Sequence, residues 1–264
     1  MALALHQIAS DLYLVAGLVA GLGLALPAPR LLRLGPALLL AGALAHGIAF
    51  ATLHQLQPTP SLTDLPMALS FTAWIAVLFS LALQWRARMG ALGALVGPIA
   101  FTAVFAATLS LSRARSEPLA GAAGGSWPHL HVLLASAGLA LLGVAGLAGL
   151  VFLGEHRRLK LKRRMSGQLP SLEGLDRANR AALALGFPLL TLGVVSGMLW
   201  VHSSGGTLLT GAPHETWSLV AWGVYAVLVA ARFGAHQGSR QAAASAVAGF
   251  AFLFFAVIGL ELLS

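Results

Sequence analysis

Residues 131–153 read HVLLASAGLALLGVAGLAGLVFL, a run of 23 residues with no Asp, Glu, Lys or Arg. As a helix rising 1.5 Å per residue it is about 35 Å long, enough to cross a hydrocarbon core of roughly 30 Å. A helix also satisfies its own backbone in lipid, which an open strand does not. The run is followed directly by Gly154-Glu155-His156-Arg157-Arg158-Leu159-Lys160-Leu161-Lys162-Arg163-Arg164, a basic stretch of the kind that stops a helix at a membrane surface.

The rest of the chain repeats this pattern. Apolar spans are predicted near 8–26, 35–53, 66–85, 91–111, 131–153, 181–201, 214–231 and 241–262. Of the 264 residues, 58% are hydrophobic and 9% charged, and the mean hydropathy is +0.85. A water-soluble domain carries about 25% charged residues, so this chain cannot cover itself with a water-facing surface. The fold class is all-α: a polytopic membrane protein of about eight transmembrane helices, with residues 1–264 forming a single membrane domain. Asp11 interrupts the first apolar run and no Lys or Arg precedes it, so that run is read as a retained helix rather than a cleaved leader. Pro27, Pro36, Pro66 and Pro213 are placed at span edges, and Pro98 and Pro188 inside spans.

The net charge of +8 does not signal nucleic acid, because the basic residues sit in loops between apolar spans. The loops at 27–34, 86–90, 154–180 and 232–240 hold 14 of the 16 Lys and Arg residues, and the alternate loops hold only Arg113 and Arg115. The positive-inside rule puts the first set in the cytoplasm. Both termini then lie outside, and the 154–180 loop touches anionic lipid headgroups. With no cysteine the chain has no disulfide, no thiolate metal site and no thiol relay. A metal or haem iron would need other ligands, such as His.

There are nine histidines. On this map His156 and His236 fall in cytoplasmic loops. His6, His54, His129, His131, His202 and His214 fall at the outer face, and His46 lies within a span. His6 and His202 read as interfacial side chains at span ends. His129 and His131 are two apart, so on a helix they point about 200° apart and cannot serve one site together. His46 lies roughly 12 Å deep, where an ionisable group faces the protein interior. Two readings stand for it: a ligand, or a neutral core histidine bonded to a carbonyl of a neighbouring helix. His131 and His214 both begin spans that run inward, so they can share one membrane level. Two facing imidazoles are the geometry for axial ligation of a haem iron or another metal. Trp127, Trp200, Trp217 and Trp222 lie near the same level, as apolar walls for a macrocycle or as an interfacial aromatic belt. Gly138, Gly143, Gly146 and Gly149 below His131 leave a smooth surface for a ligand or for close helix packing.

Three stretches resemble the cytochrome c assembly (CcsA/CcmC/HemX-like) superfamily. The first is Leu44-Ala45-His46 followed by Pro60-Ser61-Leu62-Thr63-Asp64-Leu65 and Ser70-Phe71-Thr72-Ala73-Trp74. It is similar to that family's membrane His, short outer loop and Phe-x-x-Trp helix. The second is His131-Val132-Leu133-Leu134-Ala135-Ser136-Ala137, similar to the family's His-Val after the outer loop. The third is Pro213-His214-Glu215-Thr216-Trp217-Ser218-Leu219-Val220-Ala221-Trp222-Gly223-Val224-Tyr225, which looks like the end of its tryptophan-rich haem signature. Leu175-Asp176-Arg177 also fits.

The resemblance implies a non-covalent b-type haem. His131 stands at a family ligand position, His214 acts as a substitute ligand where Lys is usual, and His46 matches a membrane His. Trp200, Trp217 and Trp222 would lie near the ring. There are departures. Residues 205–212 replace the fuller signature, Ala230 stands where a second membrane His is usual, and no His follows the last span up to Ser264. The pattern is closest to the short HemX/YpjD-like branch. It implies a haem-handling or accessory subunit of the bacterial-type inner membrane rather than a complete haem lyase. Its implied partners are membrane lipid, haem, and another assembly subunit or apocytochrome c. The alternatives are a HemX-like regulator of haem synthesis and a cofactor-free subunit of a transport or respiratory complex.

Overall fold

In the computed structural model the described residues are 1–26, 28–56, 60–87, 89–114, 126–161 and 170–263; the side chains of 86, 87, 113, 114, 126, 127, 204, 213, 214 and 257–263 lie outside the description. Arg115 and the Trp127 side chain fall outside it. Among the described residues there is no strand. Among these residues eight helices are long and apolar enough to cross a membrane. They are α1 (Ala2–Ala25), α2 (Pro29–Ala51), α3 (Leu65–Ala87), α4 (Ala91–Ala114), α5 (Ser126–Lys160), α6 (Leu172–Gly205), α7 (Pro213–Val229) and α8 (Ser239–Leu263). A 3-10 turn, Leu53–Gln55, follows α2, and a π turn, Ala230–Gly234, follows α7.

The chain divides into two compact units, one of residues 1–124 and 164–171 and the other of 125–163 and 172–264. The first unit holds α1 to α4. Helix α1 packs on α2 and α4, and α3 on α4 and α2. One face of α1 carries Ala2, His6, Ala9, Tyr13, Ala16 and Ala20, all buried at the three-to-four-residue spacing of a helical stripe. Small residues on this stripe let backbones meet, since dispersion between close surfaces drives helix association in lipid. A Cβ added at Gly97 of α4 would lie 2.6 Å from the Tyr13 carbonyl oxygen and 2.8 Å from Gly17 Cα. Helix α2 starts at Pro29, with Pro29 in its first turn where a missing N–H costs nothing. Pro36 is therefore inside α2, not at the span edge expected from sequence. Arg30 and Arg33 read as loop by their charge, yet basic side chains on a first turn reach back to the interface.

In the second unit α5 pairs with α6 along its length and with α8, and α7 packs on α6 and α8. Helices α5 and α6 have 35 and 34 residues, so each is about 50 Å long and exceeds the hydrocarbon core. Both run past the spans read from sequence, because those limits marked where apolar residues stop and not where helical hydrogen bonding stops. The added turns of α6 carry spaced ion pairs, Glu173–Arg177 at 3.7 Å and Asp176–Arg180 at 3.5 Å, which support a helix in water. Asp176 also accepts a 2.6 Å bond from Arg232 on the π turn. The glycines of α5 are packing surfaces. A Cβ at Gly138 would lie 2.5 Å from the Leu190 amide nitrogen of α6, and one at Gly149 would lie 2.7 Å from the Ala243 carbonyl of α8. Of the two sequence readings for these glycines, close helix packing is the one observed.

Candidate functional site

His131 is the sixth residue of α5, which starts at Ser126, over a turn before the start expected at His131. Its half-buried ring lies against α6. A carbonyl can only accept, so the 2.8 Å contact between Nδ1 and the Gly193 carbonyl is an Nδ1–H donation. In the neutral ring this places the lone pair on Nε2, which has no protein partner among the described residues. The ring occupies space left by Gly197: a Cβ there would lie 2.8 Å from Nδ1 and 2.9 Å from Cε1. Trp200, less than a turn further along α6, places its ring centroid 6.2 Å from the imidazole. Gly193, Gly197 and Trp200 are thus one stripe of α6, spaced at four and three residues, facing His131.

The donor set suits a haem iron. A neutral imidazole with one nitrogen bonded to a carbonyl and the other open is the usual form of an axial ligand, and an aromatic face lies beside it. His129 is exposed, on a different side of α5 from His131, as their spacing requires.

The other predicted site residues, His46 excepted, are distributed over the same unit. His214 is the second residue of α7, after Pro213, and its side chain lies outside the described residues. The loop before it is held by Glu215. This carboxylate accepts from the Thr210 amide at 2.7 Å, the Thr210 hydroxyl at 2.6 Å and the Gly211 amide at 3.0 Å. Glu215 is the third residue of α7, the position from which a glutamate reaches back over a helix start. Gly206 and Gly211 take positive φ of 73° and 78°, which glycine adopts at little cost. Trp217 leans on Phe252 of α8, with centroids 6.3 Å apart. Trp222 stacks on Phe187 of α6 at 6.0 Å and donates its indole N–H to Thr191 at 3.0 Å. Of the three tryptophans, Trp200 is the one in ring contact with His131; the other two pack α7 against its neighbours.

His46 belongs to the first unit and is fully buried. Neither of its nitrogens meets a backbone carbonyl. Nε2 is 2.9 Å from the Ser70 hydroxyl and Nδ1 is 3.3 Å from the Tyr13 hydroxyl. Phe50 stacks on the ring at 4.7 Å, with Phe71 and Trp74 packed behind it. His46 therefore faces the interior, as expected, but with no free nitrogen it does not fit an axial ligand unless Ser70 or Tyr13 gives way. His6 is a correction. The sequence placed it at the interface, yet it is fully buried, its Nδ1–H donates to the Ala2 carbonyl at 3.0 Å, and its ring meets His46 edge-on at 5.3 Å. The first span begins at Ala2 instead of residue 8, and the stripe Ala2, His6, Ala9, Tyr13 was the signal for this in the sequence. Gly193 and Gly197 were missed as well. Their role is that of a backbone carbonyl and of empty space, and neither leaves a side-chain signature.

Among the described residues no group of three or more His, Cys, Asp or Glu is placed to hold a metal ion. The sequence profile of the family described as Cytochrome C assembly protein matches residues 62–264, a segment that includes His131, Gly193, Gly197, Trp200 and His214. The Cytochrome c biogenesis protein CcsA of Guillardia theta is 27% identical over 221 residues, covering 76% of this chain and 73% of the relative. That of Prochlorococcus marinus (strain MIT 9303) is 28% identical over 231 residues, covering 76% and 73%. That of Synechococcus elongatus is 28% identical over 247 residues, covering 76% of each. With more than half of its length matched and its eight apolar helices in place, the chain belongs to the cytochrome c assembly protein family.

Proposed function

We propose that this protein binds a b-type haem non-covalently at the His131 end of α5 and presents it for c-type cytochrome assembly. The observation that carries the reading is the His131 ring, tied through Nδ1–H to the Gly193 carbonyl at 2.8 Å and open at Nε2. His214 would be the second residue to hold the haem in this reading, and Pro213 with the Glu215 clamp supports a fixed start for its helix. When bound, haem supplies the vinyl groups that a partner's thiols attack. This chain has no cysteine, so its own part is to coordinate and orient. The relatives' names, each a cytochrome c biogenesis protein, support the process. The distribution of basic residues supports a cytoplasmic-type inner membrane with both termini, His131 and His214 outside. Haem, membrane lipid and an apocytochrome c or another assembly subunit are the partners. The HemX/YpjD-like regulator and the cofactor-free subunit are the competing outcomes of the test.

The test is the visible spectrum of detergent-purified protein. A haem Soret band is expected in the wild type, with His131→Ala losing most of it or converting it to a five-coordinate form. Neutral imidazole is the ligating form, so haem retention falls as pH is lowered. No haem in the wild type, even after reconstitution, overturns the proposal.

A further inference from the structure

We infer that Gly197, the Gly193 carbonyl and the Ser196 hydroxyl are positioning groups that present the His131 imidazole as an Nε2 donor and set how strongly it donates. The inference rests on the haem reading above, but its first part concerns this chain alone.

The imidazole is held from two sides. Gly193 accepts its Nδ1–H at 2.8 Å, so in the neutral ring the lone pair lies on Nε2. Gly197, four residues on, leaves the space the ring fills, since a Cβ there would lie 2.8 Å from Nδ1 and 2.9 Å from Cε1. An imidazole is flat and stiff, with two torsions, so it cannot yield a few tenths of an ångström the way the end of a long side chain does. An alanine at 197 pushes the ring off the carbonyl. The helices cannot separate to make room without breaking other contacts. A Cβ at Gly193 would lie 2.8 Å from Ala135 Cα, and one at Gly138 would lie 2.5 Å from the Leu190 nitrogen, so α5 and α6 are in backbone contact on the inward side of His131.

Besides the helical amide of Gly197, the Gly193 carbonyl has another donor, the Ser196 hydroxyl at 2.8 Å. Ser196 is buried, and its hydroxyl divides the carbonyl's acceptor capacity with His131. A hydrogen bond from the distal N–H raises the basicity of a ligating imidazole, and removing such an outer partner typically lowers metal affinity about 10–100-fold. Removing the competing hydroxyl has the opposite sign. The His131 bond strengthens, Nε2 becomes a better donor, and ferric iron gains over ferrous.

The experiment has two arms. In the first, the haem-free protein is labelled with 15N-histidine and the His131 resonances are assigned by their loss in His131→Ala. The wild type is expected to show a single neutral form protonated at Nδ1, and Gly197→Ala a mixture of both tautomers. A wild-type His131 that is protonated at Nε2 or averages between tautomers overturns the inference, whether or not the protein binds haem. In the second arm, reconstituted proteins are compared by haem titration and redox potentiometry. Gly197→Ala is expected to lose about 10–100-fold in affinity. Ser196→Ala keeps its haem and shifts to a lower reduction potential, a readout that loss of packing alone does not move. Gly186→Ala is the packing control: a Cβ there meets Leu141 at 2.9 Å, far from His131, so it costs stability and leaves spectrum and potential unchanged. If Gly197→Ala folds with wild-type tautomer and affinity, or Ser196→Ala leaves the potential in place, the positioning role is wrong. If no protein takes up haem while the tautomer result holds, the haem reading fails and the built His131 pocket stands.

Discussion

Ser70 and Tyr13 hold opposite nitrogens of the His46 ring, but not equally: 2.9 Å against 3.3 Å. Net hydrogen-bond strength is about 0.5–1.5 kcal/mol, and a buried group left without a partner costs about 1–3 kcal/mol. Ser70→Ala is therefore expected to destabilise more than Tyr13→Phe, with both read as thermal midpoints in detergent. Neither is expected to change a haem spectrum that depends on His131; a changed spectrum in both would assign His46 as a ligand. The depth and interior facing of His46 were legible in the sequence because an ionisable residue inside an apolar run has few places to go. His6 was not legible, because it stands before the first strongly apolar run and only its helical spacing to Tyr13 betrays it. The partner of His131 was not legible either. A carbonyl at Gly193 and a missing Cβ at Gly197 exist only once two helices are brought together.

Between elements, an ion pair ties α6 to the π turn that follows α7. Arg232 is buried, donates to Asp176 at 2.6 Å and to the Gln237 carbonyl at 3.0 Å, and is presented by the π turn Ala230–Gly234. A single π turn adds one residue to an α-helix and turns the side chains after it to a new face. Losing Asp176 leaves the buried Arg232 charge unpaired, at about 3–5 kcal/mol, and losing Arg232 leaves Asp176 only its longer contact to Arg180 at 3.5 Å. Arg232→Ala and Asp176→Ala are each expected to lower the unfolding midpoint strongly. The double variant Asp176→Leu with Arg232→Met should recover much of the loss. A double mutant as unstable as the sum of the two would refute the pairing argument. Sequence reading placed Asp176 in a loop because it stopped the sixth span where apolar residues stop. The helix continues in spaced charge pairs, a pattern legible in Glu173, Asp176, Arg177 and Arg180 once a span and a helix are treated as different things.

Across the whole molecule, the eight spans were the most legible feature, since each is fixed by length and the absence of charge. Their edges were less so, because charged first turns and long polar-ended helices blur the border between helix and loop. Orientation rests on the loop distribution of Lys and Arg. A periplasmic-type reporter fused after Ser264 is expected to be active, and one fused within residues 162–169 inactive; the reverse pattern would invert the topology. Helices α5 and α6 have a mechanical consequence of their own. They meet backbone to backbone at Gly138 and Gly193, teeth too close to ride over one another in small steps, and sliding by one full turn would require 5.4 Å. The pair is thus a strut, not a slide. A push at the His131 end reaches the Lys160 end, about 44 Å along the helix at 1.5 Å per residue, as a tilt of the entire rod.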